Sequence, residues 1–436
     1  MYNEKLYPFQ IEACTFIQRN HGRCILGDEM GLGKTVEALA WLESSKKVRA
    51  IKKILVVAPA NVIYKWRDEV KTWTTGLKAG IIKGYQSSLP KTDVIICSYN
   101  VMTARYKELR ALHPDLIIWD EAHYLKGNRK KTKRVAASLR LNSEYALFLT
   151  GTPFLNHPIE LFNLLDMVQP GKWNLGSYGT RYCGGFDYWK GPLKGATHLS
   201  ELRSKLSSIM IRRLKRDVLT ELPSLSRIVL PVDIRTVEYT KALRGINKKT
   251  AATKIMDAWH IIGREKAKVA IEWVEEFFAQ SENTTKIVLY AHHLDVVETL
   301  ASGLRHHGIV KITGAIPLVK RRLYIRNYQE AHRPRIMVIN KAGGEGIDLF
   351  GKGKVDSSTI LFVERQWTPG LEWQAEGRLD RIGQNSGVIA YYLSAIGTFD
   401  IAMAKAIEGK RAVIDQVMDL EDIELNITDE IIQSLL

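Results

Sequence analysis

The sequence has 436 residues, a formal net charge of +16 and a hydrophobic content of 45%. This length accommodates two or three domains, and the composition excludes a wholly disordered chain. No apolar run approaches the ~18 residues of a membrane-spanning helix. The four cysteines form no C-x-x-C pair, which argues against a disulfide framework or a zinc cluster and favours a reducing compartment. The excess of Lys and Arg makes a polyanion the first partner to consider.

Short β-branched runs alternate with helical stretches along both halves of the chain. The strands predicted in the first half are 23–26, 54–58, 94–97, 116–119 and 146–149. Those predicted in the second half are 286–290, 310–312, 335–339, 360–363 and 388–392. Near-continuous apolar strands of this kind are typical of parallel sheets that helices cover on both faces. The pattern therefore predicts an α/β fold with two lobes.

The domain boundaries follow from the places where the strand pattern is interrupted. We predict a first lobe core at 1–153, a helical insertion at 154–222, an inter-lobe linker at 223–235, a helical insertion of the second lobe at 236–285, a second core at 286–412 and an acidic tail at 413–436. The tail has seven acids, no Lys or Arg, and recurring Ile, Val and Leu. This pattern indicates either a packed terminal helix or a small autoinhibitory segment.

A glycine-rich segment, GDEMGLGKT at 27–35, follows the first strand and precedes a helix. Glycines allow backbone N–H groups to surround phosphate oxygens, and a helix N-terminus favours negative charge. Lys34 is predicted to reach the β- and γ-phosphates and Thr35 to bind Mg²⁺. The predicted nucleotide-binding residues of this loop are Asp28, Glu29, Met30, Gly31, Leu32, Gly33, Lys34 and Thr35. Asp28 stands where the general phosphate-loop pattern has its first glycine, and the alternative is a glycine-rich turn with a surface lysine.

Two acids end the fourth strand of the first half, in the segment DEAH at 120–123. Acids at the carboxyl end of a strand beside a phosphate loop suit Mg²⁺ coordination by Asp120 and water activation by Glu121. The next strand ends in LTGTP, and its small residues Thr150, Gly151 and Thr152 are suited to relaying the nucleotide state between lobes.

In the second half, Arg378 and Arg381 lie three residues apart, which places them on one face if the segment is helical. Arginines offered to a nucleotide stabilise the charge of phosphoryl transfer, although a pair of surface arginines with carboxylate partners is the alternative. Upstream, Gly344 and Gly346 allow close approach of the backbone to a phosphate chain.

The ordered series of motifs resembles superfamily 2 helicase-type motors, and specifically the Swi/Snf-type ATPases. The series comprises LYPFQ at 6–10, GDEMGLGKT, Ala58-Pro59 followed by Trp66, DEAH, LTGTP, the AGGEG loop at 342–346 and QAEGRLDRIGQ at 374–384. The resemblance spans nearly the whole chain.

This resemblance implies two RecA-like lobes with ATP and Mg²⁺ in the cleft between them. It implies that Gln10 reads the adenine edge, that Gln374 belongs to the inter-lobe coupling, and that Arg378 and Arg381 act with Lys34 and Glu121 in catalysis. The implied activity is that of a monomeric motor that translocates on double-stranded DNA without sequence preference or membrane partner. A bacterial or phage cytoplasm, or a nucleus in a eukaryote, is the compartment that fits.

A narrower resemblance is to the annealing-helicase and fork-remodelling branch. It is carried by RYCG at 181–184, Trp189 and Gly191, YAHH at 290–293, and Glu364 before Trp367. Three residues depart from the family pattern, namely Asp380 where His is usual, Gly377 where an acid is common and Asp348 where Asn is usual. All three bear on the coupling of hydrolysis to DNA.

A basic run follows DEAH directly and contains Lys126, Arg129, Lys130 and Lys131. It is predicted to contact DNA phosphates, and the alternative is a solvated helix face. Arg212 and Arg213 are weaker candidates, since Arg213 could equally brace the lobes. Trp66 is interpreted as a core or lobe-surface aromatic.

Two histidine pairs, at 292–293 and 306–307, have no cysteines nearby, so structural or surface roles are favoured over a metal site.

Two other functions remain open from the sequence. One is a strand-separating DNA or RNA helicase, since DEAH is shared with RNA motors. The other is a nucleotide-gated DNA clamp with slow hydrolysis, for which Asp380 and Gly377 leave room.

Overall fold

The computed structural model describes residues 5–127, 132–151, 157–184, 195–219, 225–234, 236–244, 251–341, 347–367, 369–405 and 407–408. The chain divides into two compact units at residues 220 and 221. Each unit contains one sheet of parallel strands, which confirms the predicted α/β class. Within the described ranges, no helix combines the length and apolar character needed to cross a membrane.

The first unit is organised around a seven-stranded sheet. Its strands are β1 (Arg23–Leu26), β2 (Ile54–Ala58), β3 (Ala79–Ile81), β4 (Val94–Ser98), β5 (Leu116–Asp120), β6 (Tyr145–Leu149) and β7 (Met210–Ile211). They are arranged in the order β3-β4-β2-β5-β6-β1-β7. Every residue of β2 and β6 is buried, as expected for strands whose two faces are both covered.

The described helices of the first unit account for much of the remaining chain. They are α1 (Pro8–Arg19), α2 (Lys34–Ser45), α3 (Ile63–Trp73), α4 (Tyr99–Ala111), α5 (Lys133–Ser138), α6 (Phe162–Val168), α7 (Leu175–Tyr182), α8 (Leu199–Leu206) and α9 (Lys215–Val218). Turns of 3₁₀-helix lie at Ala122–Leu125 and Pro158–Leu161. The interval 154–222, predicted to be helical, also contains β7, which pairs with β1 through only two residues and so has no strand pattern of its own.

The second unit contains a six-stranded sheet. Its strands are β8 (Leu225–Val232), β9 (Thr285–Tyr290), β10 (Ile309–Ile312), β11 (Ile336–Ile339), β12 (Asp356–Phe362) and β13 (Val388–Ala395), in the order β10-β11-β9-β12-β13-β8. β8 lies in the interval predicted to be a linker. It is an edge strand with mostly exposed side chains, and it contains Pro231, which an edge position tolerates.

Helices of the second unit cover both faces of its sheet. They are α10 (Val237–Leu243), α11 (Ala251–Ala279), α12 (Leu294–Gly303), α13 (Leu318–Glu330) and α14 (Pro369–Glu376), with a further helical stretch at 399–405. Ile287 and Leu289 of β9 pack in one apolar cluster with residues of α11 and α12, whereas Val288 and Tyr290 pack in another with residues of α13 and α14. The long helix α11, predicted as part of an insertion, is therefore an outer layer of this unit.

Candidate active site

Three of the predicted motifs meet at one edge of the first sheet. Leu149 is paired in register with both Leu26 and Asp120. Because the strands are parallel, the segments that follow these three residues begin side by side. The phosphate loop, the DEAH segment and the LTGTP segment therefore form one site.

The backbone of the phosphate loop adopts a conformation that requires glycine. Gly31 has φ of +96° and Gly33 has φ of +88°, in the left-handed region. A Cβ atom on Gly33 would lie 2.6 Å from the side-chain nitrogen of Gln10. That nitrogen donates a hydrogen bond to the carbonyl of Leu32 at 3.0 Å, and the Gln10 side-chain oxygen accepts one from the Tyr7 backbone at 3.1 Å. Gln10 thus fixes the shape of the loop.

Lys34 is the first residue of α2, and its side chain returns over the loop. Its ammonium group donates hydrogen bonds to the backbone carbonyls of Asp28 at 2.6 Å and Glu29 at 3.2 Å. Burial lowers the pKa of Lys34, and nearby carboxylates, chiefly Glu121, oppose this shift. A phosphate oxygen is a stronger acceptor than either carbonyl, so Lys34 is placed to exchange these partners for a nucleotide.

Arg213 holds two buried carboxylates beneath the loop. It forms an ion pair with Asp28, and one of its nitrogens lies 3.1 Å from a carboxylate oxygen of Glu37. Both acids are fully buried. Burial, followed by the charge of Asp28, raises the pKa of Glu37 well above its usual range. A buried ion pair of this kind is costly to break, because the remaining charges then lack a partner.

No motif of the sequence predicts a role for Glu37, and Arg213 is predicted either to contact DNA or to brace the lobes. In the structure, the ionic partners of Arg213 belong to the first unit, and Phe9 of the same unit lies under its guanidinium at 5.4 Å. One signal in the sequence was an acid set among the apolar residues of α2.

The two acids of DEAH are held differently. One carboxylate oxygen of Asp120 accepts a hydrogen bond from the indole nitrogen of Trp66 at 2.7 Å, and the other accepts from the backbone N–H of Glu121 at 3.0 Å. Burial, and next the charge of Glu121, raises the pKa of Asp120 to about 6. Glu121 has φ of +50°, an uncommon conformation for a residue with a side chain and one found at functional sites. Trp66 is thus a positioning residue as well as a core residue.

The LTGTP segment connects the acids to the phosphate loop. Nδ1 of His123 lies 3.3 Å from a carboxylate oxygen of Glu121 and 3.4 Å from the hydroxyl of Thr150. A Cβ atom on Gly151 would lie only 2.7 Å from the side chain of Met30 in the phosphate loop. These contacts give a short path between the acids and the loop.

The site offers the donor chemistry that Mg²⁺ prefers. Asp120 supplies a carboxylate at the end of β5, and Thr35 supplies a hydroxyl at the start of α2. Both are hard oxygen donors, which suit Mg²⁺. Burial, and next the charge of Glu121, raises the pKa of Asp120 and so disfavours its anionic form, which a bound cation would stabilise.

The arginines of the second unit lie just beyond a helix. They were predicted to share a helical face, but α14 ends at Glu376 and both follow it in turns. Arg378 is buried, and its carbonyl accepts from the backbone of Leu349 at 2.8 Å. Arg381 forms an ion pair with Asp348.

Gln374 is also buried, and among the described residues its side-chain nitrogen has no hydrogen-bond partner.

The predicted DNA contacts are described only in part. Lys126 lies 3.5 Å from a carboxylate oxygen of Glu160, with a third of its side chain exposed. Asn163 holds the backbone on either side of Lys126, because its side chain donates to the carbonyls of Leu125 and Gly127 at 3.2 and 2.6 Å. Six predicted residues lie outside the described ranges: Arg129, Lys130, Lys131, Thr152, Gly344 and Gly346.

Comparison with known proteins identifies the family. The model of the SNF2-related domain matches residues 9–268, which is more than half of the chain. The chain belongs to the SNF2-related domain family. This confirms the resemblance to Swi/Snf-type ATPases that the motifs indicate.

This SNF2-family chain is similar to longer proteins. It is 29% identical to the human "DNA annealing helicase and endonuclease ZRANB3", over 95% of this chain and 40% of that protein. It is 30% identical to a Caenorhabditis elegans homolog of "SWI/SNF-related matrix-associated actin-dependent regulator of chromatin subfamily A-like protein 1", over 95% of this chain and 62% of that protein. It thus spans between about two fifths and three fifths of these relatives. The solved "SWI2/SNF2 ATPase core in complex with dsDNA" of Sulfolobus solfataricus is 20% identical, with a TM-score of 0.46 over 97% of this chain and 98% of that chain.

Proposed function

We propose that this SNF2-family chain is a DNA-dependent ATPase that translocates on double-stranded DNA. The observation that carries the proposal is the meeting of Lys34, the Asp120–Glu121 pair and Thr150 at one edge of the first sheet. Family membership and the excess of positive charge support DNA as the polyanion.

The roles of the residues follow from their positions. Lys34 exchanges its two carbonyl acceptors for phosphate oxygens of ATP. Thr35 and Asp120 would hold Mg²⁺, which would neutralise phosphate charge when bound. Glu121 orients and deprotonates the attacking water, since it directly follows Asp120 at the end of β5 and has a backbone conformation that is found at functional sites.

Three further assignments belong to the same proposal. Gln10 contacts the adenine, in addition to holding the loop. Arg378 and Arg381 stabilise the charge of the transition state. Thr150, Gly151 and Thr152, together with Gln374, couple the nucleotide state to movement.

We assign the DNA contacts to phosphates. Lys126, Arg129, Lys130, Lys131, Gly344 and Gly346 are the residues proposed to make them. Phosphate contacts carry no base information, so binding is expected to be independent of sequence and to weaken steeply with salt. The similarity to a protein named as an annealing helicase supports annealing or fork remodelling as the finer function.

The testing experiment is a steady-state ATPase assay with no nucleic acid, duplex DNA, single-stranded DNA, a fork and RNA. Strong stimulation by duplex supports the translocase, and additional stimulation by the fork supports remodelling. Stimulation by single strands or RNA alone would identify a strand-separating helicase instead. Lys34→Ala is the blank, and Lys46→Ala is the matched control. Lys46 directly follows the C-terminal end of α2 and pairs with Glu43.

Glu121→Gln tests the catalytic base separately from binding. The variant keeps the size and the polar character of the side chain, so ATP binding is expected to persist while turnover stops. Normal DNA-stimulated turnover in Glu121→Gln would contradict the assignment.

The ion pair between Arg381 and Asp348 favours one second candidate, a nucleotide-gated DNA clamp with slow hydrolysis. Displacement of the third strand from a DNA triplex distinguishes the two functions. A translocase displaces that strand at a rate that depends on ATP, whereas a clamp leaves it in place.

A further inference from the structure

Three metal-binding side chains converge on the surface of the second unit, among residues that the proposed ATPase does not use. Glu275 lies on α11, and His306 and His307 lie in a 3₁₀ turn between α12 and β10. Nε2 of His306 is 3.0 Å from one carboxylate oxygen of Glu275, and Nε2 of His307 is 2.9 Å from the other. The donor atoms of the three residues all lie within 4.8 Å of one another.

The backbone that carries these donors is held by the apolar core. Val274, beside Glu275, and Leu304, just before the turn, are fully buried in the same cluster. The two helices approach so closely that a Cβ atom on Gly303 of α12 would lie 2.5 Å from the side chain of Ile271 on α11. The positions of the donors relative to one another are therefore set by packing and not by the ion pairs alone.

One of the three side chains is oriented by a further contact. The ring of His307 lies 4.6 Å from that of Phe278, one turn along α11 from Glu275, and only 16% of its side chain is exposed. Arg335 covers Phe278 at 3.9 Å and donates to the carbonyls of Thr285 and Glu282. His307 therefore rests against a fixed surface, with its Nε2 directed toward the carboxylate.

The donor set identifies the class of ion. Two imidazole nitrogens and a carboxylate suit Zn²⁺ and its neighbours in the transition series, whereas Mg²⁺ prefers oxygen alone. Ligands at about 2.0–2.1 Å from a metal lie roughly 2.9–3.4 Å apart at angles between a right angle and a tetrahedral angle. The two nitrogen–oxygen distances are close to this range. The exposure of His306 and Glu275 leaves the outer side of the site open to water.

We propose that Glu275, His306 and His307 bind one divalent transition-metal ion of the zinc class. The ion would connect α11 to the turn that leads into β10, and water would complete its coordination. Sequence alone favours a structural or surface role for this histidine pair, because no cysteine lies nearby. Glu275 lies some thirty residues before the pair, and the packing of α11 on α12 brings the three together.

The test is calorimetric titration of the full chain with Zn²⁺, after removal of bound metal with a chelator and without nucleotide. One ion per chain is expected to bind. His306→Ala and Glu275→Gln are each expected to weaken this binding by about tenfold or more. The first removes a ligand and the second replaces the anionic carboxylate with a neutral amide, and the loss of even an outer-shell partner typically costs that much. Both side chains are partly exposed, so these variants should fold, and far-UV circular dichroism verifies this.

His260→Ala is the matched control. His260 forms an exposed pair with Asp295 at 2.7 Å, and this pair is not part of the three-donor cluster. Its replacement is expected to leave the affinity for Zn²⁺ unchanged. The proposal is overturned if no saturable binding occurs at micromolar Zn²⁺, if His306→Ala or Glu275→Gln binds as the parent does, or if His260→Ala weakens binding equally.

Discussion

The two units hold the cations of their proposed functional segments in different ways. In the first unit, Lys34 donates to two backbone carbonyls, while Arg213 occupies the buried carboxylates of Asp28 and Glu37. In the second unit, Arg381 is paired directly with the carboxylate of Asp348. In the function proposed above, Lys34 would therefore bind phosphate by exchanging neutral acceptors, whereas Arg381 would first have to leave an ion pair. We call the first site preorganised, and we call the second conditional because Arg381 must leave Asp348 before it can bind another group.

Burial explains why the first arrangement needs Arg213. Asp28 and Glu37 are both fully buried, and two buried carboxylates without a cation would be strongly unfavourable. The pair in the second unit is partly exposed, at 15% for Arg381 and 29% for Asp348, so water stabilises both partners when they separate. The same ion-pair chemistry thus acts as a fixed brace in one unit and as a reversible restraint in the other.

The largest effect is expected for Arg213→Ala, which removes the brace. Breaking a buried ion pair by deleting one partner costs about 3–5 kcal/mol, so the unfolding midpoint in urea should fall sharply. Arg216→Ala is the matched control, because Arg216 is 77% exposed and its nearest carboxylate is 3.6 Å away. Adding Glu37→Gln to Arg213→Ala should recover part of the loss by removing one unpaired acid. Equal midpoints for the two single arginine variants would show that the first unit does not depend on this pair.

Arg381→Ala is expected to have the next largest effect, on catalysis and not on folding. If Arg381 stabilises the transition state, its loss should reduce DNA-stimulated turnover by about a hundredfold or more, while the affinity for duplex DNA changes little. The measurements are kcat for ATP and a DNA-binding isotherm at one salt concentration.

Arg326→Ala, on an arginine that is 76% exposed and pairs with Glu330 at 3.0 Å, serves as the control for Arg381→Ala. Equal losses of turnover and DNA affinity in Arg381→Ala would show that Arg381 contacts DNA. It could then no longer be compared with Lys34 as a nucleotide-binding cation.

Lys286 extends the comparison to a buried cation whose acceptors, among the residues that the structure describes, are neutral carbonyls. Its ammonium group is fully buried and donates to the carbonyls of Tyr328 and Ala331, which end α13. Burial lowers the pKa of Lys286 from 10.5 to about 8. Above that pH the folded chain has lost this proton while the unfolded chain still binds it, so this residue makes folding more favourable as the pH rises toward 10.5.

Lys286 is predicted to change the slope of the unfolding free energy plotted against pH. From pH 8 to pH 9 the unfolding free energy of the parent should rise by about 1 kcal/mol more than that of Lys286→Met. The measurement is the unfolding free energy of both proteins at each pH. Lys352→Met, at a lysine that is 50% exposed, should show the parental slope. A parental slope in Lys286→Met would mean that the carbonyls compensate for the loss of water around the charge.

The sequence predicted the parts of the molecule that are encoded locally. The ten apolar strands and the phosphate loop depend on short patterns, and each was found where the pattern placed it. Contacts between distant residues had no such signal. Trp66 and Asp120 are separated by 54 residues, and Arg213 and Asp28 by 185. Three of the described strands were missed: β3 and β7 because they are three and two residues long, and β8 because an exposed edge strand lacks an apolar pattern.

The smallest expected effect is the most direct test of the conditional site. Asp348→Asn keeps the size of the side chain while removing its charge. If the ion pair restrains Arg381, this substitution should raise DNA-stimulated kcat by about threefold, since a partly exposed pair contributes less than about 1 kcal/mol. In an Arg381→Ala background the same substitution should have no effect, because no arginine remains to be released. A decrease in kcat for Asp348→Asn would mean that the carboxylate holds Arg381 in its working position, and the second site would then be preorganised like the first.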